Sequence, residues 1–527
     1  MICNRALKPL SRWLIILMLV TLATGSALAQ EATETADAEI VFAPLADNVF
    51  MVEGIVPQGW PQVQPGLYSR SSGVGDETWI VIQSALAPVE PVLQSLAQQL
   101  RLSQALESSG EYSGETFAWT LYTPDTATPQ VDRVVRLAVA NQGGRTFLVM
   151  MQTTAAEADG LVESVFTPVL DALAPLVEAT PEPGSLPYSE EAVTFENGEV
   201  TLAGTLTLPE GDGPHPAVIL VSGSGPQDRD ESLAPVTSLR PFRLIADALG
   251  RAGIAVLRYD DRGVGQSTGV FEDATLDDFT ADAAAGIAYL LSRDEIDAGQ
   301  VGLIGHSEGG MVASRLGAQD VGLAFIVTLA GPGVSGRDVL MVQNEKIMRV
   351  AGATDAQIEG QLAFLDEAFA LMNAEDWETL EALLRETIVE QYSQLSAAQQ
   401  ATLGDIDAQV DQVTVAQMQS FQAGWFASFI NYDPAPDWAQ VDVPVLAFYG
   451  GLDVQVDAEQ NGLPLEAALE AAGNDDVTVI VYPEANHLFQ AARTGSLQEY
   501  GALEAAFVPE LLPDLTAWLL ERVTLPE

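Results

Sequence analysis

Apolar positions recur with two different periods along this 527-residue chain, and the change of period divides it into regions. From residue 38 to residue 177, short apolar and aromatic runs typical of β-strands surround two stretches of helical period, at 89–102 and 155–176. Several strands with two helices predict a small α+β N-terminal domain. Residues 178–190 are rich in proline and have the composition of a linker.

After the linker, strand-like and helix-like stretches alternate to the end of the chain. Asn197-Gly198 lies at the centre of an alternating stretch, residues 192–208, and predicts a two-residue β-hairpin. Strands are then predicted at 217–221, 254–259, 301–304, 323–329, 443–449 and 477–481, with helices at 240–251, 276–291, 463–472 and 507–522. This alternation predicts an α/β domain over residues 191–527, with a mostly parallel sheet and helices on both of its faces.

One long segment interrupts the alternation. Residues 335–432 are rich in Gln, Ala and Glu and have helical periodicity, which predicts a helical lid inserted over the carboxyl edge of the sheet. Five large apolar side chains recur at helical spacing near its end: Met418, Phe421, Trp425, Phe426 and Phe429. Two interpretations stay open for them, a plain core stripe and the wall of a substrate pocket for apolar acyl groups.

The net charge of the chain limits the classes of partner that it is expected to bind. With 74 acidic and 22 basic residues the formal net charge is -52, while 48% hydrophobic residues indicate a folded globular protein. Such a surface repels nucleic acid and anionic membranes, so neither is an expected partner. The acids fit a solvated coat that favours solubility, and a surface adapted to salt is the sharper alternative.

The first 29 residues have the layout of a secretory signal peptide. Arg5, Lys8 and Arg12 precede an apolar run from Trp13 to about residue 22, and Ala27-Leu28-Ala29 forms a small-residue cleavage site. Cleavage would leave 19 bases against 74 acids, or -55, and implies a secreted or periplasmic protein. An uncleaved N-terminal anchor is the alternative.

Cysteine and histidine are scarce. Cys3, the only cysteine, lies before the apolar run, which argues against a lipoprotein anchor and leaves the mature chain without thiols. Disulfides and thiolate metal sites are therefore excluded, and three histidines without a carboxylate cluster predict no transition-metal site. No cofactor is expected.

A candidate nucleophile lies where a predicted strand turns into a helix. The stretch Gly305 to Gly309 follows the predicted strand at 301–304 and has Ser307 at its centre. Glycines two residues before and after the serine suit a sharp, strained turn, and the helix N-terminus favours developing negative charge. The same pattern also arises by chance in a long, glycine-rich chain, so its context decides. His306 is expected to be a packed or hydrogen-bonded neighbour.

Candidate partners for this serine follow later strands. A serine hydroxyl needs a base to remove its proton, and the base needs an acid to orient it. Asp453 comes just after the predicted strand at 443–449, and His487 just after the strand at 477–481. The chain order Ser307, Asp453, His487 is that of the α/β hydrolases. Asp457 is a second candidate for the acid.

Two backbone N–H groups should stabilise the developing oxyanion. One is expected from Glu308, which follows the nucleophile, and the other from Ser224 in the glycine-rich loop after the first parallel strand, with Gly225 as the alternative. The loop lacks the lysine and spacing of a phosphate-binding loop, and Gly263-Val264-Gly265 misses the dinucleotide spacing, so no nucleotide is expected.

Three charged residues follow this loop. Asp228, Arg229 and Asp230 are candidates for binding a substrate amine or carboxylate, and structural ion pairing is the favoured interpretation.

Residues 192–520 resemble the α/β-hydrolase superfamily and, more narrowly, are similar to bacterial esterases grouped with the serine aminopeptidase and monoacylglycerol-lipase-like hydrolases. The stretches that match are residues 223–230, 258–267, 305–310, 432–434 and 453–456, and Asn486-His487. The resemblance implies carboxylic-ester hydrolysis with Ser307, Asp453 and His487 as triad. One departure is Ser222-Gly223, where many relatives have His-Gly. The N-terminal domain lies outside the match.

Three functions follow as hypotheses. The first is a secreted serine esterase that cleaves small-molecule carboxylic esters of short to medium acyl chain through an acyl-enzyme. The second is an exopeptidase or amidase with the same triad. The third is a triad-bearing binding protein whose N-terminal domain docks a partner that the sequence does not identify.

Overall fold

A computed structural model describes residues 40–526, except 48–49, 65, 71–77, 86–88, 90–91, 94–95, 98–105, 125–132, 143–144, 177–185, 234–235, 272 and 395–405. The expected signal peptide lies outside the described residues, as do most of the predicted helix at 89–102 and of the predicted linker. None of the helices in the described part of the chain combines the length and apolar character needed to cross a membrane. The chain divides into two compact units, the first ending at residue 182 and also taking in 233–238, the second comprising the rest of the chain from residue 183 onwards.

The first unit contains an antiparallel seven-stranded sheet. In the described residues its strands are β3 (Gln62–Gln64), β4 (Leu67–Ser69), β5 (Trp79–Ala85), β6 (Ser108–Ser113), β7 (Ala118–Tyr122), β8 (Arg133–Gln142) and β9 (Arg145–Thr154), in the order β3-β4-β5-β9-β8-β7-β6. Strands β1 (Phe42–Asp47), β2 (Val52–Pro57) and β10 (Ala174–Pro175) form a separate small sheet.

Both faces of the larger sheet are buried, which explains the long apolar runs in β8 and β9. Side chains on one face, such as Val149 and Met151, pack with the helical segment Ala158–Leu161, Val162–Phe166 and Thr167–Ala172, whose middle part is π-helical. Side chains on the other face, such as Leu137 and Leu148, form a second apolar cluster. The predicted α+β character of this region is confirmed.

The second unit is built on an eight-stranded, mostly parallel sheet, as predicted. Its strands are β11 (Tyr188–Asn197), β12 (Val200–Pro209), β13 (His215–Val221), β14 (Ala255–Tyr259), β15 (Ile296–His306), β16 (Ile326–Leu329), β17 (Val445–Gly450) and β18 (Val477–Tyr482), in the order β11-β12-β14-β13-β15-β16-β17-β18. The hairpin at Asn197-Gly198 pairs β11 with β12, and all pairs from β14 to β18 are parallel. Strands β13, β14, β16 and β17 are buried along their whole length, so apolar and polar residues do not alternate in their sequences.

Crossover helices connect these strands. They are α3 (Pro241–Arg251), α4 (Leu276–Leu291), α5 (Glu308–Ala318) and α12 (Ala458–Ala472), where α1 and α2 are the two α-helical ends of the segment in the first unit. Helix α13 (Leu511–Leu520) follows the last strand, β18. Local sequence sets their starts: Pro241 occupies the first turn of α3, and Thr275 with Asp278 forms a capping box at α4.

The insertion between β16 and β17 is helical, and its described helices are α6 (Gly336–Val350), α7 (Asp355–Asn373), α8 (Trp377–Ser393), α9 (Ile406–Phe421), α10 (Gly424–Asn431) and the short α11 (Ala435–Trp438). Capping side chains define three of their starts, because Ser335, Thr354 and Asp376 each accept a hydrogen bond from the backbone N–H three residues later. The predicted helical character of this segment is therefore present in the structure.

Candidate active site

Three strand ends bring the predicted catalytic residues to the same edge of the sheet. Strands β15, β17 and β18 belong to one parallel set, so their carboxyl ends share an edge. Ser307 follows β15 directly, Asp453 follows β17, and His487 follows β18. In open α/β sheets this edge is where ligands bind.

Ser307 lies in a strained turn between β15 and α5. Its backbone angles are φ 52° and ψ -116°, outside the regions that residues with a Cβ favour. The turn is held on both sides, because the Ser307 N–H donates to the Leu329 carbonyl at 2.8 Å and the Gly310 N–H donates to the Ser307 carbonyl at 2.8 Å. Ser307 is therefore presented at the N-terminus of α5, as the sequence predicts for a nucleophile.

Two glycines of the motif are required by space. A Cβ on Gly305 would collide with the backbone of Gly309, and a Cβ on Gly309 would collide with the Val221 carbonyl at the end of β13. The strand and the helix thus approach too closely for any side chain at these positions, which accounts for the glycine spacing of the motif.

His487 and Asp453 form a buried hydrogen-bonded pair. His487 Nδ1 lies 2.7 Å from Asp453 Oδ2, and the other carboxylate oxygen of Asp453 accepts the N–H groups of Gln455 at 2.7 Å and Val456 at 2.9 Å. Because an ionised carboxylate only accepts, it holds the proton of His487 on Nδ1 and leaves Nε2 with its lone pair. The alternative acid, Asp457, caps α12 through Gln460 N–H and pairs with Lys346.

His306, next to the nucleophile, makes two polar contacts and one ring contact. Its Nδ1 lies 2.7 Å from Glu231 Oε1, its Nε2 lies 3.1 Å from the His487 carbonyl, and its ring centroid is 4.8 Å from that of His487. It is thus hydrogen-bonded and lies next to the strained turn that carries Ser307. Sequence reasoning missed Glu231, since nothing in the local pattern distinguishes it from the other acids after the glycine-rich loop.

Glu308, a predicted oxyanion donor through its backbone, has a buried side chain. The Trp425 indole N–H lies 2.9 Å from each of its carboxylate oxygens, and the Ser224 side chain also hydrogen-bonds to it. Burial raises the pKa of Glu308 to about 7, and the hydrogen bonds from Trp425 and Ser224 oppose this rise only in part. The structure therefore links both predicted oxyanion residues, Ser224 and Glu308, through their side chains.

A small cavity lies beside the oxyanion loop. Its lining includes Gly223 and Gly225 of that loop together with the carboxylates of Asp261 and Glu308. Burial raises the pKa of Asp261 well above its usual range, although the Gln227 N–H and the Ser222 hydroxyl donate to this carboxyl. The remaining lining is largely apolar and includes Phe271 and Phe279, so acidic and apolar residues line the cavity together.

Four of the five large apolar side chains near the end of the insertion show how this group packs. Trp425 stacks on Phe429 with ring centroids 5.7 Å apart, and Phe421 and Met418 are buried in the same apolar core. None of the four lines the cavity beside the oxyanion loop. Their packing is that of a core stripe, and a role in acyl binding stays a prediction.

The three charged residues after the loop take part in structural interactions. Arg229 pairs with Asp260 at 2.7 Å, Asp230 pairs with Arg258, and Asp228 accepts backbone N–H groups of its own turn. Within the part of the chain that the structure describes, no group of three or more His, Cys, Asp or Glu side chains could hold a metal ion.

This arrangement, with a serine elbow after one parallel strand and an acid and a base after later strands, is that of the α/β hydrolases. Residues 238–491 match the hydrolase family described as "Serine aminopeptidase, S33". Over these residues the chain is similar to that hydrolase family, in agreement with the resemblance that its motifs carry.

Three known proteins are similar to parts of this chain. The chain is similar to esterase EstD of Thermotoga maritima, with 27% identity over 315 residues, which is 59% of this chain and 64% of that protein. Among solved structures it is similar to an esterase of Pyrococcus furiosus, with 16% identity over 66% of this chain and 96% of that one and a TM-score of 0.39. It is also similar to the dienelactone hydrolase of Anabaena variabilis, with 17% identity over 64% and 100% of the two chains and a TM-score of 0.33.

Proposed function

We propose that this protein is a serine hydrolase that cleaves carboxylic esters of short to medium acyl chain through an acyl-enzyme intermediate. The observation that carries the proposal is the buried His487–Asp453 hydrogen bond of 2.7 Å at the sheet edge where Ser307 lies in a strained turn. The name of the relative EstD, an esterase, supports the same reaction type.

The reaction would proceed in two halves. Nε2 of His487 takes the hydroxyl proton as Ser307 attacks the ester carbonyl, and the backbone N–H groups of Ser224 and Glu308 stabilise the oxyanion. His487 then gives the proton to the leaving alcohol, which leaves the acyl group on Ser307. In the second half a water molecule gives its proton to His487, attacks the acyl-enzyme and releases the acid, and the serine recovers its proton.

An exopeptidase or amidase with the same triad is the second candidate, favoured by the description of the matching family. A substrate amine would need a free carboxylate near Ser307, and the nearest candidate in sequence, Glu308, already accepts hydrogen bonds from Trp425. Comparing aminoacyl anilides with matched esters separates the two, because a peptidase cleaves the anilides faster. For localisation, residues 1–29 support a secreted or periplasmic protein.

Replacing the nucleophile tests the proposal. Ser307→Ala should lower kcat on a short p-nitrophenyl ester by about 10⁴-fold or more, because no other group can form the acyl-enzyme. The matched control is Ser292→Ala, which removes a hydroxyl at the end of α4 that donates to the nearby Tyr289 carbonyl. Full turnover by Ser307→Ala would refute the assignment. Failure of a fluorophosphonate probe to label the folded wild type would instead favour a binding protein.

A further inference from the structure

Glu231 and His306 form a second buried carboxylate–histidine pair beside the nucleophile. Their side chains are 2% and 7% exposed, and Glu231 Oε1 lies 2.7 Å from His306 Nδ1. The same oxygen accepts the Gly223 N–H at 2.8 Å, and His306 Nε2 lies 3.1 Å from the His487 carbonyl. The pair thus contacts the oxyanion loop at one end and the loop of the catalytic base at the other.

The acceptors around His306 determine its protonation. A carbonyl oxygen can only accept, so Nε2 of His306 must carry a proton to bond to His487. Glu231 Oε1 already accepts the Gly223 N–H, and as a carboxylate oxygen it would also accept a hydrogen bond from Nδ1 of His306. Burial lowers the pKa of His306, but Glu231, the His487 carbonyl and the charge of Asp453 together raise it by more. The hydrogen bonds and the raised pKa of His306 together favour a protonated ring.

Glu231 occupies its position at a cost. Its backbone has φ 55°, in the left-handed region that residues with a Cβ rarely adopt, and its N–H donates to the Asp228 carbonyl at 2.9 Å. Its second carboxylate oxygen is buried and has no hydrogen-bond partner among the described residues. Strain and an unsatisfied buried oxygen are expected at residues that are retained for function.

Packing transmits the position of this pair to the nucleophile. A Cβ on Gly223 would meet Ser307 Cβ at 3.1 Å, Glu231 Oε1 at 3.3 Å and His306 Nδ1 at 3.3 Å. The oxyanion loop is therefore seated against all three residues. Any displacement of Gly223 would move the adjacent N–H of Ser224, the predicted oxyanion donor.

We propose that Glu231 and His306 are positioning residues that, as carboxylate and imidazolium, hold the oxyanion loop and the His487 loop in place around Ser307. The inference rests on the proposed function, since it assigns the oxyanion and base roles to these loops. It differs from the catalytic assignment in that neither residue contacts the reacting atoms.

Kinetics of single and double variants test the pair. Glu231→Gln keeps the shape and an acceptor for Gly223 but removes the negative charge, and His306→Gln removes the cation. Each should lower kcat roughly tenfold to a hundredfold with little change in KM, because oxyanion contacts are stronger in the transition state than in the bound substrate. If the two act as a unit, the double variant should be no slower than the slower single variant.

The matched control removes a hydrogen bond far from this edge. Asp247→Asn weakens the 2.6 Å bond between α3 and Tyr188, which lies at the opposite edge of the sheet, and it should lower the melting temperature without lowering kcat. Wild-type kcat in folded Glu231→Gln would overturn the proposal, as would effects of the two single variants that multiply in the double variant. Active-site titration corrects each kcat for unfolded protein.

A spectroscopic test identifies the pair without turnover. The chain has three histidines, so ¹⁵N-histidine NMR of the wild type and of His306→Gln assigns the ring of His306 by difference. At neutral pH both nitrogens should be protonated in the wild type, and one should lose its proton in Glu231→Gln. A singly protonated His306 in the wild type would overturn the imidazolium assignment. A wild type that hydrolyses no ester would refute the proposed function, whereas unchanged kcat in an active Glu231→Gln would refute the positioning role alone.

Discussion

The carboxyl group that follows the nucleophile should make stability depend on pH. Burial raises the pKa of Glu308 from 4.5 to about 7, so the folded state holds this proton more tightly than the unfolded chain. The stabilisation is complete below about pH 4.5 and is lost as the pH rises to about 7, a change on the order of 3 kcal/mol. Glu308→Gln should remove this loss, so its advantage in the free energy of unfolding over the wild type should grow across this window.

Urea denaturation at a series of pH values measures the difference in the free energy of unfolding between Glu308→Gln and the wild type. Many other acids titrate in the same range, so the comparison of variant and wild type, and not either curve alone, isolates Glu308. Glu466→Gln, at an exposed position of α12, provides the background for removing one carboxylate. Parallel curves for Glu308→Gln and the wild type would show that the side chain is not buried as the structure has it.

Among single residues, the sequence predicted those whose position follows from the order of the strands along the chain. Ser307, Asp453 and His487 each come just after a strand that the apolar pattern marks, and parallel strands bring such positions together. Their predicted roles stay predictions until they are tested. The Glu231–His306 contact joins residues 75 positions apart, and it depends on the path of a loop that has no periodic signal. The same holds for the contact of Trp425 with Glu308, 117 residues away.

One helix of the insertion is hydrogen-bonded through an indole to the helix that follows Ser307. Trp425 on α10 donates to the Glu308 carboxylate on α5, so Trp425→Phe should remove a hydrogen bond to a charged group, worth about 1.5 to 3 kcal/mol. Trp438→Phe is the matched control, because Trp438 is fully buried and its indole nitrogen has no partner among the described residues. Both variants lose similar volume, and the difference between them measures the hydrogen bond.

The pH at which this comparison is made provides an internal check. Above pH 8 Glu308, with a pKa of about 7, is ionised and the excess loss in Trp425→Phe should be largest, while at pH 5.5 it should shrink. Equal losses for the two tryptophan variants at both pH values would contradict the assigned contact. A change in preferred ester chain length confined to Trp425→Phe would support the acyl-wall interpretation of this helix.

Helices and strands were predicted well where apolar residues recur with one clear period. Helix α4 has the predicted bounds, and α3 begins one residue later than predicted, because their apolar stripes and start signals both lie in local sequence. Strand β15 is longer than predicted, since it begins at Ile296 through polar residues that no apolar pattern marks. The π-helical stretch Val162–Phe166 and the strand order of the first unit depend on tertiary packing, which a single sequence does not display.

For the whole molecule, the acidic surface should make stability depend on salt. A formal charge of -52 at pH 7 repels itself more strongly in the compact state than in the unfolded chain, and salt screens this repulsion. The melting temperature at pH 7 should therefore rise as NaCl increases from about 10 mM, where the Debye length is about 30 Å, to about 0.15 M, where it is about 8 Å. Near pH 4.1, the isoelectric point of the sequence, the same salt series should have little effect.

The shape of that salt curve separates the two interpretations of the acids. Screening is nearly complete once the Debye length is shorter than the spacing of surface charges, so a solubility coat predicts a rise that levels off within a few tenths molar salt. A surface adapted to salt predicts a melting temperature that continues to rise at molar NaCl. Differential scanning calorimetry of the mature protein, with sucrose at matched osmolality as control, distinguishes them. A melting temperature at pH 7 that falls or stays constant from low to physiological salt would contradict both, because it would mean that the excess of acids does not destabilise the folded state.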